Sequence, residues 1–493
     1  MGGSPVERVQ LAPGLSISRV VTGLWQIADM ERGGRPVDPV ATAAAMRPYV
    51  DAGLTTFDMA DHYGSAEVVC GTYRASAGAG EVQLLTKWVP PPGTSRPEDA
   101  RAAVEQALQR LRSDRIDLLQ FHAWSFADPS WLDCLAHLQE LKREGLVGAL
   151  GVTNFDTAHL RVALHTGIDI VSNQVSYSLL DSRARGDMAE LCAEHGVGIL
   201  AFGTLAGGFL TERWLGRPEP EAGALRTWSE MKYKRFIDVT CEWDAFQRLL
   251  GAVKRIADRR GASMANVAGR AILDRPSVAG IVVGARLGRS EHIADSLRTC
   301  VLELGDQDRE ELDAAVGALR RVPGDCGDEY RRAPFLTASG DLSHHLVEMP
   351  APYPVRVGAD GRSRVLSGTV WEGLAGFGRA VREGDRILVS GTTATHGDRA
   401  VGGTDPAAQA HVCIDKIEGA LLSLGARLED VVRTRVYIRR AEDWEAVSRA
   451  HGARFGHVRP ANTLVQAGII GEEYLVEIEA EAVVARPRTD PGG

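Results

Sequence analysis

Ile116-Asp-Leu-Leu-Gln-Phe-His122 and Val147-Gly-Ala-Leu-Gly-Val152 are the two runs that decide the fold class of this chain. Each run is short and nearly continuous in apolar residues, which is typical of a parallel strand buried on both faces. A helical pattern precedes the first run, because Val104, Leu108 and Leu111 fall on one face at helical spacing. Strands that alternate with helices in this way predict an α/β fold with a parallel sheet.

The same alternation extends from about residue 15 to residue 320. Eight strand–helix units are predicted, with strands that begin near residues 17, 54, 82, 115, 147, 168, 197 and 279. Eight successive units over roughly 300 residues are typical of a (β/α)8 TIM barrel. A doubly wound sheet is disfavoured because no G-x-G-x-x-G follows the first strand. Residues 9–17 are expected to form a hairpin that plugs the N-terminal end of the barrel.

The second part of the chain has a different pattern of predicted strands and helices. A strong helix is predicted with Asp405 as its N-cap, Pro406 at its first position and Gly425 beyond its end. Apolar and charged residues alternate over residues 476–483, as they do in a strand with one solvent-exposed face. We therefore predict a separate α+β domain. The predicted divisions are a barrel over 1–320, a linker over 321–353, the α+β domain over 354–486 and a disordered tail over 487–493.

The composition limits the classes of protein to which this chain can belong. The chain has 493 residues, 44% hydrophobic and 25% charged, with a net charge of −9, which predicts a soluble protein of two or more domains without a nucleic-acid or membrane partner. Seven cysteines show neither disulfide nor zinc-ligand spacing, so no metal site is predicted and a reducing compartment is expected. Because the N-terminus has no apolar core typical of a signal peptide, a cytoplasmic location is expected.

Four ionisable residues are predicted to meet at the C-terminal face of the barrel, where barrel enzymes carry their active sites. Asp58, Lys87 and His122 end the second, third and fourth strands, and Tyr63 follows the second. Reducing a carbonyl needs an acid for the developing alkoxide. We expect Lys87 to lower the pKa of Tyr63, Asp58 to hold Lys87, and His122 to polarise the carbonyl. Any one of these residues alone is more often structural; the conjunction favours catalysis.

The motifs around these residues resemble those of the aldo-keto reductase family. Phe57-Asp58-Met-Ala-Asp-His-Tyr63-Gly-Ser-Ala-Glu67 is similar to its signature, and the segments at Lys87 and His122 are similar to its lysine and histidine segments. The resemblance covers about residues 8–320. It implies that Tyr63 is the general acid and that NADP(H) binds extended without a Rossmann fold, with NAD(H) left open as the alternative.

The resemblance also implies a set of cofactor contacts. The nicotinamide is expected to stack on Phe202, where the family usually has a tyrosine. Arg286 and Arg289 are candidates for a 2′-phosphate, with a solvated loop as the alternative reading. The complete set of implied cofactor-binding residues is Thr153, Asn154, Gln174, Phe202, Leu205, Gly207, Gly284, Arg286, His292 and Ser296.

Aromatic residues are expected to wall the substrate pocket. Trp25, Trp88 and Trp124 follow predicted strands. The segment from about 212 to 242 contains Trp214, Trp228 and Tyr233, and an insertion of this length is uncommon unless it is functional. We therefore expect a lid over the pocket and a partly apolar substrate.

Residues 385–486 resemble the Rid (YjgF) family of small trimeric proteins that hydrolyse enamines and imines. The matching stretches include Gly384 to Gly391, Gly425 to Tyr437 and Arg459-Pro-Ala-Asn-Thr. This resemblance implies a chorismate-mutase-like fold, a homotrimer and a cleft that contains Asn462 and Glu477. Deaminating members have an arginine where this chain has Asn462, and an asparagine cannot supply the charge that binds a carboxylate. Trimerisation is therefore the favoured role of the domain.

The leading hypothesis is an NAD(P)H-dependent oxidoreductase that reduces a small-molecule carbonyl compound, an aldehyde or a ketone, or a linked imine. A first alternative is a redox-sensing regulatory protein with little turnover. A second is a bifunctional reductase and imine or enamine hydrolase. Alcohol oxidation stays open as the direction of reaction, because the four catalytic residues serve both directions.

Overall fold

The structure is a computed structural model that describes residues 6–29, 34–76, 80–288, 292–337 and 349–484. The tail predicted over 487–493 lies outside these residues. No helix in the described ranges combines the length and the apolar character needed to cross a membrane.

A hairpin precedes the barrel, as the sequence predicts. Strands β1 (Arg8–Ala12) and β2 (Leu15–Ser18) pair antiparallel. Leu11, Leu15 and Ile17 are buried in one apolar cluster with Leu85 and Leu118 from the barrel strands. The hairpin therefore closes the end of the barrel opposite to the strand carboxyl ends.

Eight parallel strands form a closed barrel, which confirms the predicted (β/α)8 fold. The first of them starts at Val20, because residues 15–18 belong to the hairpin. In chain order the barrel strands are β3 (Val20–Gly23), β4 (Thr56–Asp58), β5 (Gln83–Trp88), β6 (Ile116–Phe121), β7 (Val147–Thr153), β8 (Ile170–Ser176), β9 (Gly198–Phe202) and β10 (Val278–Gly284). Strand β10 pairs with both β3 and β9 and closes the ring.

Helices surround the barrel and carry the expected end signals. Asp38 accepts hydrogen bonds from Val40 N and Ala41 N, with Pro39 at the first helical position. The helices of this part are α1 (Pro39–Ala44), α2 (Arg47–Asp51), α3 (Ala66–Arg74), α4 (Pro97–Leu111), α5 (Ser130–Arg143), α6 (Thr157–His165), α7 (Asp187–His195), α8 (Trp228–Thr240), α9 (Trp243–Arg260), α10 (Met264–Leu273), α11 (Ile293–Val301) and α12 (Asp306–Gly317).

Part of the segment predicted as a linker packs on the barrel. It forms helix α13 (Asp328–Arg331). Glu329 is buried and lies 2.8 Å from the Arg183 guanidinium. Arg331 donates to the carbonyl oxygens of Ala123 and Asn154, which follow two barrel strands. The sequence did not indicate this helix, because the segment is rich in turn-forming residues. The contacts that order the helix are with side chains and carbonyl oxygens distant in sequence.

The C-terminal domain combines a mixed sheet with helices, as predicted. Its sheet has the order β11-β12-β13-β14-β19-β17-β18. The strands are β11 (Val355–Val357), β12 (Ser363–Val365), β13 (Ala380–Glu383), β14 (Arg386–Thr393), β15 (Thr395–His396), β16 (Arg399–Ala400), β17 (Val431–Ile438), β18 (Ala461–Gln466) and β19 (Val476–Val483). The helices are α14 (Val370–Ala375), α15 (Pro406–Ser423) and α16 (Trp444–Phe455). Ile414, Ile417 and Leu421 on α15 are fully buried.

The two domains share a buried, charged interface. His159 on α6 lies between two carboxylates, with Nδ1 2.6 Å from Asp156 and Nε2 3.1 Å from Asp415 on α15. Arg454 on α16 lies 2.5 Å from Asp415. Arg161 also binds Asp405, the N-cap residue of α15. Charge pairing therefore links the barrel to the second domain.

Candidate active site

Asp58 and Lys87 form a buried ion pair at the carboxyl end of the barrel. Lys87 Nζ donates to Asp58 Oδ2 at 2.6 Å and to the Met59 carbonyl oxygen at 2.9 Å. Both residues end neighbouring strands, and register pairing of β4 with β5 brings the strand ends together. Burial lowers the pKa of Lys87, and the Asp58 carboxylate opposes that effect.

Tyr63 and His122 lie beside this pair. Lys87 Nζ is 5.5 Å from the centre of the Tyr63 ring. Trp25 packs edge-on against Tyr63 at 5.1 Å, and Trp124 packs against His122 at 4.6 Å. The structure therefore brings all four predicted catalytic residues to the wall of one cavity of about 760 Å³.

The electrostatics of Tyr63 differ from the sequence-based expectation. We expected Lys87 to lower the pKa of Tyr63. Burial and, in second place, the Asp58 carboxylate instead raise the pKa of Tyr63 well above its usual value. Because Asp58 neutralises the Lys87 ammonium at 2.6 Å, Lys87 has little net field left to stabilise a phenolate. Tyr63 is therefore protonated at neutral pH.

A network of amides extends from Asp58 toward the predicted cofactor contacts. Asp58 Oδ1 accepts from Gln174 Nε2 at 2.8 Å and from Gln120 Nε2 at 3.1 Å. Gln174 also donates to Gln120 Oε1 at 3.0 Å, and Thr153 Oγ1 donates to the Gln174 carbonyl oxygen at 3.0 Å. The Asp58 carboxylate thus orients the amides next to the predicted catalytic residues. Sequence reasoning missed Gln120, whose strand position reads as ordinary core.

The predicted cofactor contacts lie along the same cavity. The lining of this cavity includes Asn154 and Phe202 as well as Tyr63, and it also includes Arg286 and His292 from the segment after β10. The complete set that lines it is Thr153, Asn154, Gln174, Phe202, Leu205, Gly207, Gly284, Arg286, His292 and Ser296. Arg289 lies outside the described residues. A single cavity that this whole set lines suits one dinucleotide ligand.

Unpaired polar atoms and glycines fit such a ligand. Among the described residues, the buried Oδ1 of Asn154 and Oγ1 of Thr204 have no hydrogen-bond partner, and both residues line the cavity. Gly207 has φ of +63°, and a Cβ there would lie 2.8 Å from the Ser229 carbonyl oxygen. The loop after β9 therefore needs glycine to pass beneath α8.

Helices α8 and α13 contribute to the wall of the cavity. Trp228 and Tyr233, which belong to the segment expected to form a lid, line it from α8. Lys232 and Tyr330 also line it, and Lys232 Nζ donates to Tyr330 Oη at 2.9 Å. Sequence reasoning missed both residues, because Lys232 reads as a helix-surface lysine and Tyr330 lies in the expected linker.

The predicted aromatic wall is only partly correct. Trp25 and Trp124 line the cavity, whereas Trp88 is outside the set of lining residues. Trp88 is buried and packs against Phe121 at 5.8 Å between ring centres. Trp214 likewise stacks on Phe209 at 4.6 Å. Trp88 directly follows Lys87 in β5, so alternation along the strand directs its side chain away from the cavity that Lys87 lines.

The predicted cleft residues of the second domain do not meet within one chain. Asn462 Nδ2 donates to Thr434 Oγ1 at 2.9 Å, and Thr434 Oγ1 is 2.9 Å from His451 Nε2 on α16. Glu477 pairs with Tyr437, three residues further along β17. An odd separation places side chains on opposite faces of a strand. Asn462 therefore faces the helices, and Glu477 faces the other side of the sheet.

Comparison with known proteins agrees with this geometry. Residues 19–316 match the model of the aldo/keto reductase family, which is more than half of the chain. The chain belongs to the aldo/keto reductase family. Membership of this family makes the barrel a carbonyl-reducing oxidoreductase that uses a nicotinamide cofactor.

The second domain matches a different family. Residues 371–484 match the model described as endoribonuclease L-PSP, which is the Rid/YjgF-family domain predicted above. A crystal structure of a member of the YjgF/YER057c/UK114 family from Mycobacterium tuberculosis is 41% identical in sequence. The match spans 25% of this chain and 99% of the Mycobacterium tuberculosis chain, with a TM-score of 0.23.

Two curated proteins each match a different part of the chain. Protein tas of Escherichia coli K12 is 28% identical over 324 residues, 57% of this chain and 90% of its own length. An uncharacterised protein of Streptomyces coelicolor is 45% identical over 120 residues, 24% of this chain and 90% of its own length. Each of these two proteins is therefore similar to only part of this chain.

Proposed function

We propose that the barrel reduces an aldehyde or ketone with Tyr63 as the general acid and NADPH as the preferred cofactor. The observation that carries this proposal is the buried Asp58–Lys87 pair beside Tyr63, in the wall of the cavity. Four titratable groups from separate barrel segments converge there, which is typical of catalysis rather than of a single structural ion pair.

The reaction follows from the position of each residue. A bound nicotinamide supplies the hydride. His122 donates a hydrogen bond to the substrate oxygen and polarises the carbonyl, and Tyr63 transfers its proton to that oxygen as negative charge develops. Because the pKa of Tyr63 is raised, its acid form is fully populated at neutral pH. An alkoxide is a stronger base than a phenolate, so the transfer is downhill.

The cofactor is held by the residues that line the cavity. Asn154 and Gln174 suit the carboxamide, the Phe202 ring suits stacking on the nicotinamide, and the Gly207 loop suits the pyrophosphate. Arg286 is an exposed residue of the cavity wall, where a guanidinium can bind a 2′-phosphate in bidentate geometry. NADPH is therefore preferred over NADH. Arg286→Ala should raise the KM for NADPH more than the KM for NADH.

We also propose that the second domain assembles the chain into a homotrimer and has no deaminase activity. Asn462 supplies no charge for a substrate carboxylate. The sheet face opposite the helices exposes Leu388 and a charged group formed by Arg435, Glu479 and Glu481. An exposed sheet face of this kind is suited to contact with another copy.

The test of the catalytic proposal is NADPH consumption with a panel of aldehydes and ketones, with NADH in parallel. Tyr63→Phe should lower kcat by at least about 1000-fold while NADPH binding, followed by fluorescence quenching, is retained. Tyr73→Phe is the matched control, because Tyr73 is buried on α3 outside the residues that line the cavity. Undiminished turnover in Tyr63→Phe would remove Tyr63 from the role of acid.

A further inference from the structure

Lys232 places an ammonium above the reacting end of the cavity. Its Nζ is 4.9 Å from the centre of the Phe202 ring and 4.7 Å from the centre of the Tyr330 ring. The Tyr330 ring centre is in turn 5.8 Å from that of His122. The ammonium therefore lies between the ring proposed to stack on nicotinamide and a ring that packs against His122.

The partners of Lys232 leave it able to bind a ligand. Among the described residues, Tyr330 Oη is its one hydrogen-bond acceptor, whereas an ammonium has three N–H donors. Glu329 is 3.9 Å from Lys232 Nζ, at the limit of an ion pair. Glu329 is bound more closely by Arg183, at 2.8 Å, and Arg183 also binds Asp181 at 2.7 Å. Arg183 is thus the principal partner of Glu329.

The other lysine and arginine side chains that line the cavity have carboxylate partners or another proposed role. Lys87 binds Asp58 at 2.6 Å, and Arg213 binds Glu230 at 2.7 Å. Arg286 lies in the segment after β10, which is proposed to bind the 2′-phosphate of the cofactor. Among the described lysines and arginines that line the cavity, Lys232 is therefore the cation that a substrate held by His122 can reach.

This ammonium stays charged although it is buried, because the surrounding aromatic rings and Glu329, 3.9 Å away, compensate the cost of its burial. Lys232 is 9% exposed, and removing an ammonium from water is unfavourable unless an anion compensates. Its side chain lies on α8, which the glycines after β9 allow to pack closely: a Cβ at Gly203 would lie 1.8 Å from Tyr233 Oη. The lid is thus fitted tightly enough to hold Lys232 at a fixed place over the reaction.

We infer that Lys232, with the hydroxyl of Tyr330, binds the carboxylate of an oxo-acid substrate. This inference rests on the proposed reductase function and names its substrate class. A carboxylate is favoured over a phosphate because one cation within a helix faces the cavity here, whereas phosphates are usually held by several cations or a helix N-terminus. One aromatic ring separates Lys232 from His122, so a few carbon atoms separate carboxylate and carbonyl.

The reaction then converts an oxo acid to a hydroxy acid. The hydride adds to the carbonyl carbon, the C–O π bond opens, and the Tyr63 proton goes to the oxygen. The carboxylate stays unchanged and serves only to orient the substrate. A correctly oriented carbonyl raises kcat/KM relative to a substrate of the same length without the charge.

The experiment compares 4-oxobutanoate with butanal, which have the same number of carbon atoms. We expect kcat/KM to be about 10-fold or more higher for the oxo acid, as for a charge-assisted hydrogen bond. Lys232→Met should lower the ratio of the two kcat/KM values by about the same factor. It should also weaken the binding of succinate to the NADPH-loaded protein, measured by calorimetry. Lys234→Met is the matched control, because Lys234 lies on α8 and pairs with Glu219 and Asp238.

The outcomes separate this inference from the function on which it rests. An unchanged ratio together with unchanged succinate binding in Lys232→Met would overturn the subsite, and so would an equal effect of Lys234→Met. If the unmodified protein reduces neither aldehyde nor any member of the wider panel, the proposed function fails. In that case succinate binding decides alone: binding that depends on Lys232 sustains the anion subsite, and its absence overturns it.

Discussion

His159 of the barrel and Asp415 of the second domain are joined by a buried ion pair, with Nε2 3.1 Å from both carboxylate oxygens. The imidazole also stacks on Phe126, with ring centres 3.6 Å apart and planes 8° apart. Arg331 lies over the same Phe126 ring, 4.4 Å from its centre, and donates to the Asn154 carbonyl oxygen. The domain contact is therefore continuous with the cavity wall that contains Asn154, a proposed cofactor contact.

The His159 bridge predicts that stability falls at alkaline pH. Burial by itself lowers the pKa of His159, but Asp156 and Asp415 outweigh it and raise that pKa to about 9. A raised folded-state pKa stabilises the fold fully below the unfolded value near 6.5 and loses that contribution as pH rises through about 9. The free energy of unfolding should therefore fall by about 3 kcal/mol between pH 6.5 and 9.5.

Urea denaturation at several pH values measures this slope. His159→Gln should be less stable at pH 7 and should lose most of the dependence in this window. His137→Gln is the control, because His137 contacts the Ser95 carbonyl oxygen, which belongs to the barrel itself. If the unmodified protein is equally stable at pH 7 and pH 9.5, the bridge is not charged as described.

The raised pKa of Tyr63 predicts different pH profiles for the two directions of reaction. Reduction needs the phenol, so its kcat/KM should stay level from about pH 6 to about pH 9. Alcohol oxidation needs the phenolate, so its kcat/KM should rise by about tenfold per pH unit over the same range. Steady-state rates in both directions test this. A reduction profile that falls with a midpoint near pH 7 would show that Lys87 lowers the pKa of Tyr63 after all.

Gly207 predicts a steric limit in the loop beneath the lid. An alanine Cβ there would lie 2.8 Å from the Ser229 carbonyl oxygen and 3.0 Å from Tyr233 Cδ2, at a φ of +63°. Gly207→Ala should weaken NADPH binding by about 10-fold, since either the loop or α8 must shift. Gly216→Ala is matched for backbone strain, with φ of +70° and no heavy atom within 4 Å. Equal affinities in the two variants would contradict a specific clash.

Leu388 predicts the face through which the chain assembles. Its side chain is 51% exposed on β14, opposite Glu481 on β19. If the sheet face forms the proposed trimer, Leu388→Asp should dissociate it, because a buried unpaired carboxylate is unfavourable at an interface. Light scattering of the intact chain and of both variants measures the mass. Val40→Asp is the control, on an exposed valine of α1. A trimeric Leu388→Asp protein would place the interface elsewhere.

The strand runs and helix caps were predictable because their signals are local. The run at 116–122 forms β6, and Asp405 with Pro406 begins α15 as expected. The first barrel strand is predicted to begin near residue 17 but begins at Val20. Residues 15–18 and 20–23 are both apolar and strand-like, so the sequence does not separate them. Only pairing decides between a hairpin and a barrel strand, and pairing is a property of distant residues.

The sequence by itself determined the barrel, the order of its strands and the meeting of Asp58, Tyr63, Lys87 and His122, because parallel strands bring their carboxyl ends to one face. The tertiary structure alone decided the raised pKa of Tyr63, since burial and the neutralisation of Lys87 depend on the packed site. It also decided that Tyr330 meets Lys232, although 98 residues separate them. Contacts across such separations have no local periodicity and arise only when the elements pack.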